Sequence, residues 1–214
     1  EHISLKRVQK LMKTLGLRAI TVKKYQPSRF SKPITEGRKN LLNQDFTTTT
    51  INQKWATDIT YIHTRKDGWT YLSTIQDLHT KKIIGWKYGK QMTVKLVLDT
   101  LEHALLNNVP TKDLIIHSDL GAQYTSAAYE SRLQELNIQH SFSRKGCPYD
   151  NAGIESFHAS IKKEEVYPAK LYEDFEVAHR AIFQYIEGFY NRNRIHSSID
   201  YLTPEQMENL AKRA

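Results

Sequence analysis

At 214 residues, 39% hydrophobic and 10% aromatic, the chain can bury one packed core plus a small appendage, which excludes a disordered polypeptide. Its formal net charge of +8 is uneven: residues 1–40 hold eleven Lys/Arg against Glu1 and Glu36, or +9, while the other 174 residues carry 20 basic and 21 acidic side chains, or −1. No apolar run nears the roughly 20 residues of a membrane span, and the single Cys147 excludes an internal disulfide and fits a reducing cytosol.

The start, Glu1-His2-Ile3, has no basic stretch followed by an apolar one, so no signal peptide is expected; without an initiator Met, a partial chain is. Apolar residues Ile3, Leu5, Val8, Leu11, Met12 and Leu15 recur with helical period, and Gly16 is a stop. This reads as the last helix of a helix-turn-helix module within residues 1–25, its front half missing. Lys6, Arg7, Lys10 and Lys13 make it a basic arm for DNA, the alternative being a solvated helix face. Residues 26–53 are polar and rich in Pro, Ser, Thr and Asn. They read as a linker laid over the body, anchored by Leu41, Leu42 and Phe46.

The body, residues 54–214, opens with strands at 54–62, 69–78 and 81–89, the first two joined by an Asp67-Gly68 hairpin. An amphipathic helix follows at 93–107, then a strand at 113–118, a helix at 126–136 and a strand at 138–143. Helices at 150–165 and 173–191 complete the pattern. Three antiparallel strands followed by alternating helices and strands is the order of the ribonuclease H-like α/β fold: a mixed five-stranded sheet flanked by helices.

Three carboxylates stand out. Asp58 lies inside a β-prone run, where an unpaired carboxylate is costly unless it binds a metal or hydrogen-bonds at a strand end. Asp119 follows the apolar run Leu114-Ile115-Ile116, at the strand edge where open α/β sheets build sites; otherwise it caps the next turn, with Gly121 at positive φ. Glu155 follows Asp119 after thirty-five intervening residues and sits early in a helix. Asp150 reads as that helix's N-cap. Asn151, His158 and Lys162 share the face of Glu155, so metal ligation and phosphate contact would lie side by side. Three such oxygen donors suit Mg²⁺ or Mn²⁺, as an ion pair about 4 Å apart. Zinc is disfavoured by one Cys and nine His without paired spacing. His117 either orients a metal-bound water or is a satisfied structural histidine. Asp77 reads as a strand-end residue and Cys147 as packing.

Five motifs carry a resemblance. They are Lys54-Trp55-Ala56-Thr57-Asp58-Ile59-Thr60-Tyr61, Ile84-Gly85-Trp86, His117-Ser118-Asp119-Leu120-Gly121-Ala122-Gln123-Tyr124-Thr125-Ser126, Ser143-Arg144-Lys145-Gly146-Cys147-Pro148-Tyr149-Asp150-Asn151-Ala152, and His196-Ser197-Ser198-Ile199-Asp200-Tyr201-Leu202-Thr203-Pro204. In this order and with the 35-residue gap, the chain resembles the integrase-like transposases of the IS3 family of insertion sequences, from about Val8 to Glu205. More widely it resembles retroviral integrases and other transposases with an Asp-Asp-35-Glu triad.

The resemblance implies metal-dependent cleavage at insertion-sequence ends and strand transfer by Asp58, Asp119 and Glu155, through a circular intermediate. It implies a homo-oligomer pairing two DNA ends, in a bacterial cytoplasm near the nucleoid, and DNA contact by the Arg144-Lys145 loop. Where the family often has Gly, this chain has Asp200, which puts the local turn in question. Two other readings stay open: a nuclease of the same fold that does not join strands, and an inactive DNA-binding remnant. The intact triad argues against the remnant.

Overall fold

The structure, a computed structural model, describes residues 3–17, 37–144 and 147–213. The expectations for Arg18, Lys23, Lys24, Arg29 and Lys32 of the arm, for linker residues 26–36 and for Lys145 lie outside them.

Five strands form one sheet: β1 (Lys54–Thr64), β2 (Gly68–Asp77), β3 (Ile83–Gly89), β4 (Ile115–Ser118) and β5 (Gln139–Phe142), in the order β3-β2-β1-β4-β5. The first three are antiparallel; β4 runs parallel to β1, and β5 to β4. Strand alternation sends residues to two cores. Ala56, Ile62, Leu72 and Leu78 pack against α4 (Ala152–Ile161) and α5 (Phe175–Phe183). Trp55, Ile75 and Ile116 pack against α2 (Val94–Leu105) and α3 (Ala127–Glu135).

Local chemistry sets the boundaries. Thr93, Ser126 and Asp174 accept from the backbone N–H of Leu96, Tyr129 and Val177, starting α2, α3 and α5. Asp77 ends β2: Oδ1 accepts from the N–H of His79 and Thr80 and the Thr80 hydroxyl, Oδ2 from the Asn52 N–H. That turn places Lys81 at φ 63° and delays β3 to Ile83, two residues after the expected start. Gly85 is required by packing, since a Cβ there would stand 2.7 Å from the Ala104 Cβ of α2.

The expected helices at 150–165 and 173–191 are present, but each ends in a π-helical stretch, Lys162–Val166 after α4 and Gln184–Tyr190 after α5. A helix not expected, α6 (Pro204–Ala211), begins at a capping box of Thr203 and Gln206 with Pro at the first turn. Before it, Asp200 takes the left-handed conformation, φ 54°, which suits an Asx residue standing where Gly is usual.

At the front, α1 (Leu5–Thr14) is capped by Ser4, buries none of its residues, and exposes Lys6, Arg7, Lys10 and Lys13. Of the expected linker anchors, Leu42 is buried and Phe46 packs against the core, but Leu41 is 42% exposed. The backbone N–H groups of Leu41 and Leu42 both donate to Ser141 Oγ, which lays this segment across β5.

Candidate active site

Asp58 has the parity of Ala56 and Ile62, so its side chain points toward α4. It stands just past the point where β4 leaves β1, since β4 pairs only with Lys54, Trp55 and Ala56. Its Oδ1 accepts from the Ile59 N–H at 2.8 Å, and its Oδ2 lies 3.4 Å from His158 Nδ1. His158 Nε2 meets the Thr74 hydroxyl at 3.0 Å, and Thr74 is the cross-strand partner of Asp58. The imidazole, 7% exposed, therefore bridges β2 to the carboxylate.

Asp119 follows β4 directly. Its Oδ1 accepts from the Gly121 N–H at 2.9 Å. Gly121 is not at positive φ; it is needed for space, because a Cβ would lie 2.8 Å from that same Oδ1. Glu155 stands on the first turn of α4, exposed at the mouth of a cleft of about 640 Å³ that Asp58, His158, Lys162 and Tyr149 also line. Partial burial first, and then the charge of Asp58, raise the carboxyls of both Asp119 and Glu155 above the usual range. The three acids thus form one electrostatic group with Asp58 at its centre, although Asp119 does not line the cleft itself.

This donor set, all carboxylate oxygen, suits a hard divalent cation. Among the described residues, however, no three His, Cys, Asp or Glu side chains stand close enough to enclose an ion as they are turned here. Local bonds explain this: Asp58 is held by Ile59 and His158, and Asp119 by Gly121. The residues fit such a cation in donor chemistry.

Lys162 shares the cleft with Glu155, as the helical spacing predicts. Burial lowers its pKa and Asp58 opposes that shift. Other expectations are corrected. Asn151 is 4% exposed, with its amide donating to the Thr57 carbonyl at 3.5 Å, so it joins α4 to β1 and lies out of reach of a phosphate. His158 is turned to Asp58, not to a ligand. Asp150 is no N-cap; it is fully buried in the 3₁₀ turn Pro148–Asn151 and accepts from Arg144 N, Nε and an Nη, and from Gln44 Nε2. Burial alone would raise that carboxyl, but these donors hold it well below the usual range. Arg144 thus pairs with Asp150, while its side chain stays 39% exposed.

His117 is structural: fully buried, it meets Ser141 Oγ at 2.8 Å and Ser143 Oγ at 2.9 Å, and burial lowers its pKa to about 4. Tyr124, also buried, places its hydroxyl 3.2 Å from Thr57 Oγ1 beneath Asp58. Further along the same helical segment, Glu164 is held by Arg194 and Tyr185, and Glu165 by Tyr172. A larger cleft, about 820 Å³, lies on their side of α4 and contains none of the three acids. Nothing in residue order signals the Asp58–His158–Thr74 link, which depends on cross-strand register.

Known proteins resemble the chain in sequence and in fold. Two integrase core domain family models match, over residues 49–148 and 136–204. The transposase InsF for insertion sequence IS3A of Escherichia coli (strain K12) is 40% identical over 206 residues, 96% of this chain and 71% of that protein. The transposase for insertion sequence element IS904 of Lactococcus lactis subsp. lactis (strain IL1403) is 42% identical over 95% of this chain and 79% of its own length. Among solved structures, a chain of the simian T-cell lymphotropic virus intasome superposes with TM-score 0.61 at 16% identity, covering 85% of this chain and 60% of that one. The HTLV-2 integrase catalytic core, solved in complex with magnesium, gives 0.54 at 17% identity, covering 73% and 96%. The fold is that of the retroviral integrase core, and the chain belongs to the integrase core domain family as one of its IS3-type insertion-sequence transposases.

Proposed function

We propose that this transposase cleaves DNA at insertion-sequence ends and joins the freed strand to a target through Asp58, Asp119 and Glu155. One observation carries the reading: burial and then the charge of Asp58 raise the carboxyls of Asp119 and Glu155, and among the described residues no lysine or arginine forms an ion pair with any of the three, the His158 imidazole at Asp58 being the one basic ring within 4 Å. Such an uncompensated cluster is costly unless something cationic completes it. Bound by these three residues, Mg²⁺ or Mn²⁺, as two ions, supplies positive charge for the attacking and leaving oxygens of in-line phosphoryl transfer. His158 holds Asp58 in orientation, and Gly121 does so for Asp119. Lys162 sits beside Glu155 to hold a phosphate next to the scissile one. The basic face of α1 adds non-specific affinity, and two DNA ends call for more than one copy of the chain.

The test is a cleavage assay and a joining assay with a precut end, run on Asp58→Asn, Asp119→Asn and Glu155→Gln. Each variant is expected to lose both activities by about a thousandfold or more. Its metal-free melting temperature should hold or rise slightly, because one like charge is removed. Wild-type turnover by any of them takes that residue out of the site. Cleavage without joining by the wild type would make the protein a nuclease of this fold.

A further inference from the structure

Past Asp58 the sheet is open. Among the described residues no strand pairs with the β4-side edge of β1 between Thr57 and His63; the next contact there is the bridge from Thr64 to Tyr172. That edge is about 20 Å long at the usual rise per residue. A second cleft, about 600 Å³, lies at the far end of this edge, between Tyr61–His63 of β1 with Trp69 and Tyr71 of β2 and the segment after α4, and shares Tyr61, Lys162 and Tyr167 with the cleft holding Asp58 and Glu155. Its walls are aromatic and basic: Tyr61, His63, Trp69, Tyr167, Lys162 and Lys170, with no Asp or Glu among its lining residues.

The aromatic rings stand in solvent. Trp69 is 60% exposed, Tyr167 57% and Tyr61 48%. Trp69 meets Tyr61 and His63 edge-to-face, with centroids at 6.4 and 4.9 Å. Lys162, Lys163 and Lys170 form no ion pair among the described residues. An exposed apolar cluster of this kind marks a binding surface.

We propose that this edge groove binds an unpaired DNA strand running from the reacting end, its bases stacked on Trp69, Tyr61 and Tyr167 and its phosphates along Lys162, Lys163 and Lys170. The proposal rests on the triad reading only for which end of the groove faces the chemistry. Duplex DNA presents base edges and phosphates, whereas ring faces are open only in an unpaired strand, and aromatic platforms in a basic groove are the sequence-tolerant way to hold one. A protein strand adding to the same edge is the weaker match, because backbone pairing makes no use of the exposed rings or of the lysine ammonium groups that flank them.

Tryptophan emission isolates the site, because Trp55 and Trp86 are buried and Trp69 is not. With the whole chain, a short oligothymidylate should quench Trp69 emission. Trp69→Ala and Tyr167→Ala should each lose about tenfold in affinity for an end bearing a single-stranded overhang, with blunt duplex binding unchanged and Trp69→Phe close to wild type. Melting curves for these exposed positions should match the parent. Three results would overturn the proposal: no quenching, equal weakening on blunt and overhang DNA, or self-association that Trp69→Ala abolishes. Asp58→Asn keeps the two readings apart. Loss of cleavage with overhang binding retained supports both, whereas retained cleavage removes the catalytic reading and leaves the binding result standing.

Discussion

The acids around α4 fall into two groups with opposite electrostatics. Asp150 and Glu164 are enclosed by donors, Arg144 and Gln44 for the first, Arg194 and Tyr185 for the second, and both carboxyls are held below the usual range. Asp119 and Glu155 have no cation of their own, lie near Asp58, and are raised. A fold satisfies the acids it uses for structure and leaves unsatisfied the acids it uses for chemistry. Position along the chain does not separate the groups, since Asp150 is nearer in sequence to Glu155 than Asp119 is.

The largest contrast is expected from neutralising one acid of each group. Whereas Glu155→Gln should abolish activity at little cost in stability, Asp150→Asn should destabilise by about 2–3 kcal/mol in urea unfolding, because it leaves the guanidinium of Arg144 against a site of no exposure. Equal losses of stability in both variants would erase the distinction. Next in size is His158, which belongs to neither group but orients one. His158→Ala should lower cleavage and Mn²⁺ affinity together by about 10- to 100-fold, and His158→Gln, which keeps a donor, should recover part of both. A fall in stability alone, with metal affinity intact, would make the ring a packing residue.

The smallest expected effect is on pH. Burial lowers His140 to about 3 and, aided by Arg194, His196 to about 4. His140 faces Ser118, Glu130, His117 and Arg38; His196 faces Arg194, Glu164 and Lys81. Both rings are neutral when folded and charge when unfolded below about 6.5, so the unfolded state binds more protons and stability falls as pH drops from 6.5 toward 4. About 1–3 kcal/mol is at stake for the pair, since His196 is half-buried. His140→Asn should flatten the lower part of that pH profile in thermal melts.

Much of this was legible from residue order. Alternation in Lys54–Thr64 and the Asp67-Gly68 hairpin marked the first strands of the sheet, and the 35-residue gap singled out three candidate acids, because each depends on neighbours in sequence. What was not legible depends on register and burial. Asn151 and His158 share a helical face with Glu155, but only the packing of α4 on β1 and β2 decides that they face inward. Arg144 reads as a free basic residue until Asp150 is seen buried beneath it. The α6 helix has its start signal in Thr203-Pro204-Glu205-Gln206, but its 8 residues are too few for a helical period to stand out.

The two π-helical stretches set a limit on chain length. In each, one carbonyl accepts from five residues on, Tyr167 N–H to Lys162 and Asn191 N–H to Ile186, so the turn holds one residue more than an α turn. Glu164 lies in the first stretch and Tyr185 in the second, and with Arg194 they join the two helices. Removing a single residue from either stretch would close the wide turn back to α geometry and re-aim the side chains within it, Glu164 or Tyr185 among them, loosening that junction even where the flanking helix keeps its phase. Insertions and deletions should therefore be tolerated at the exposed pair Leu106-Asn107, for example, and selected against within Lys162–Val166 and Gln184–Tyr190, even though both stretches look from the sequence like ordinary helix.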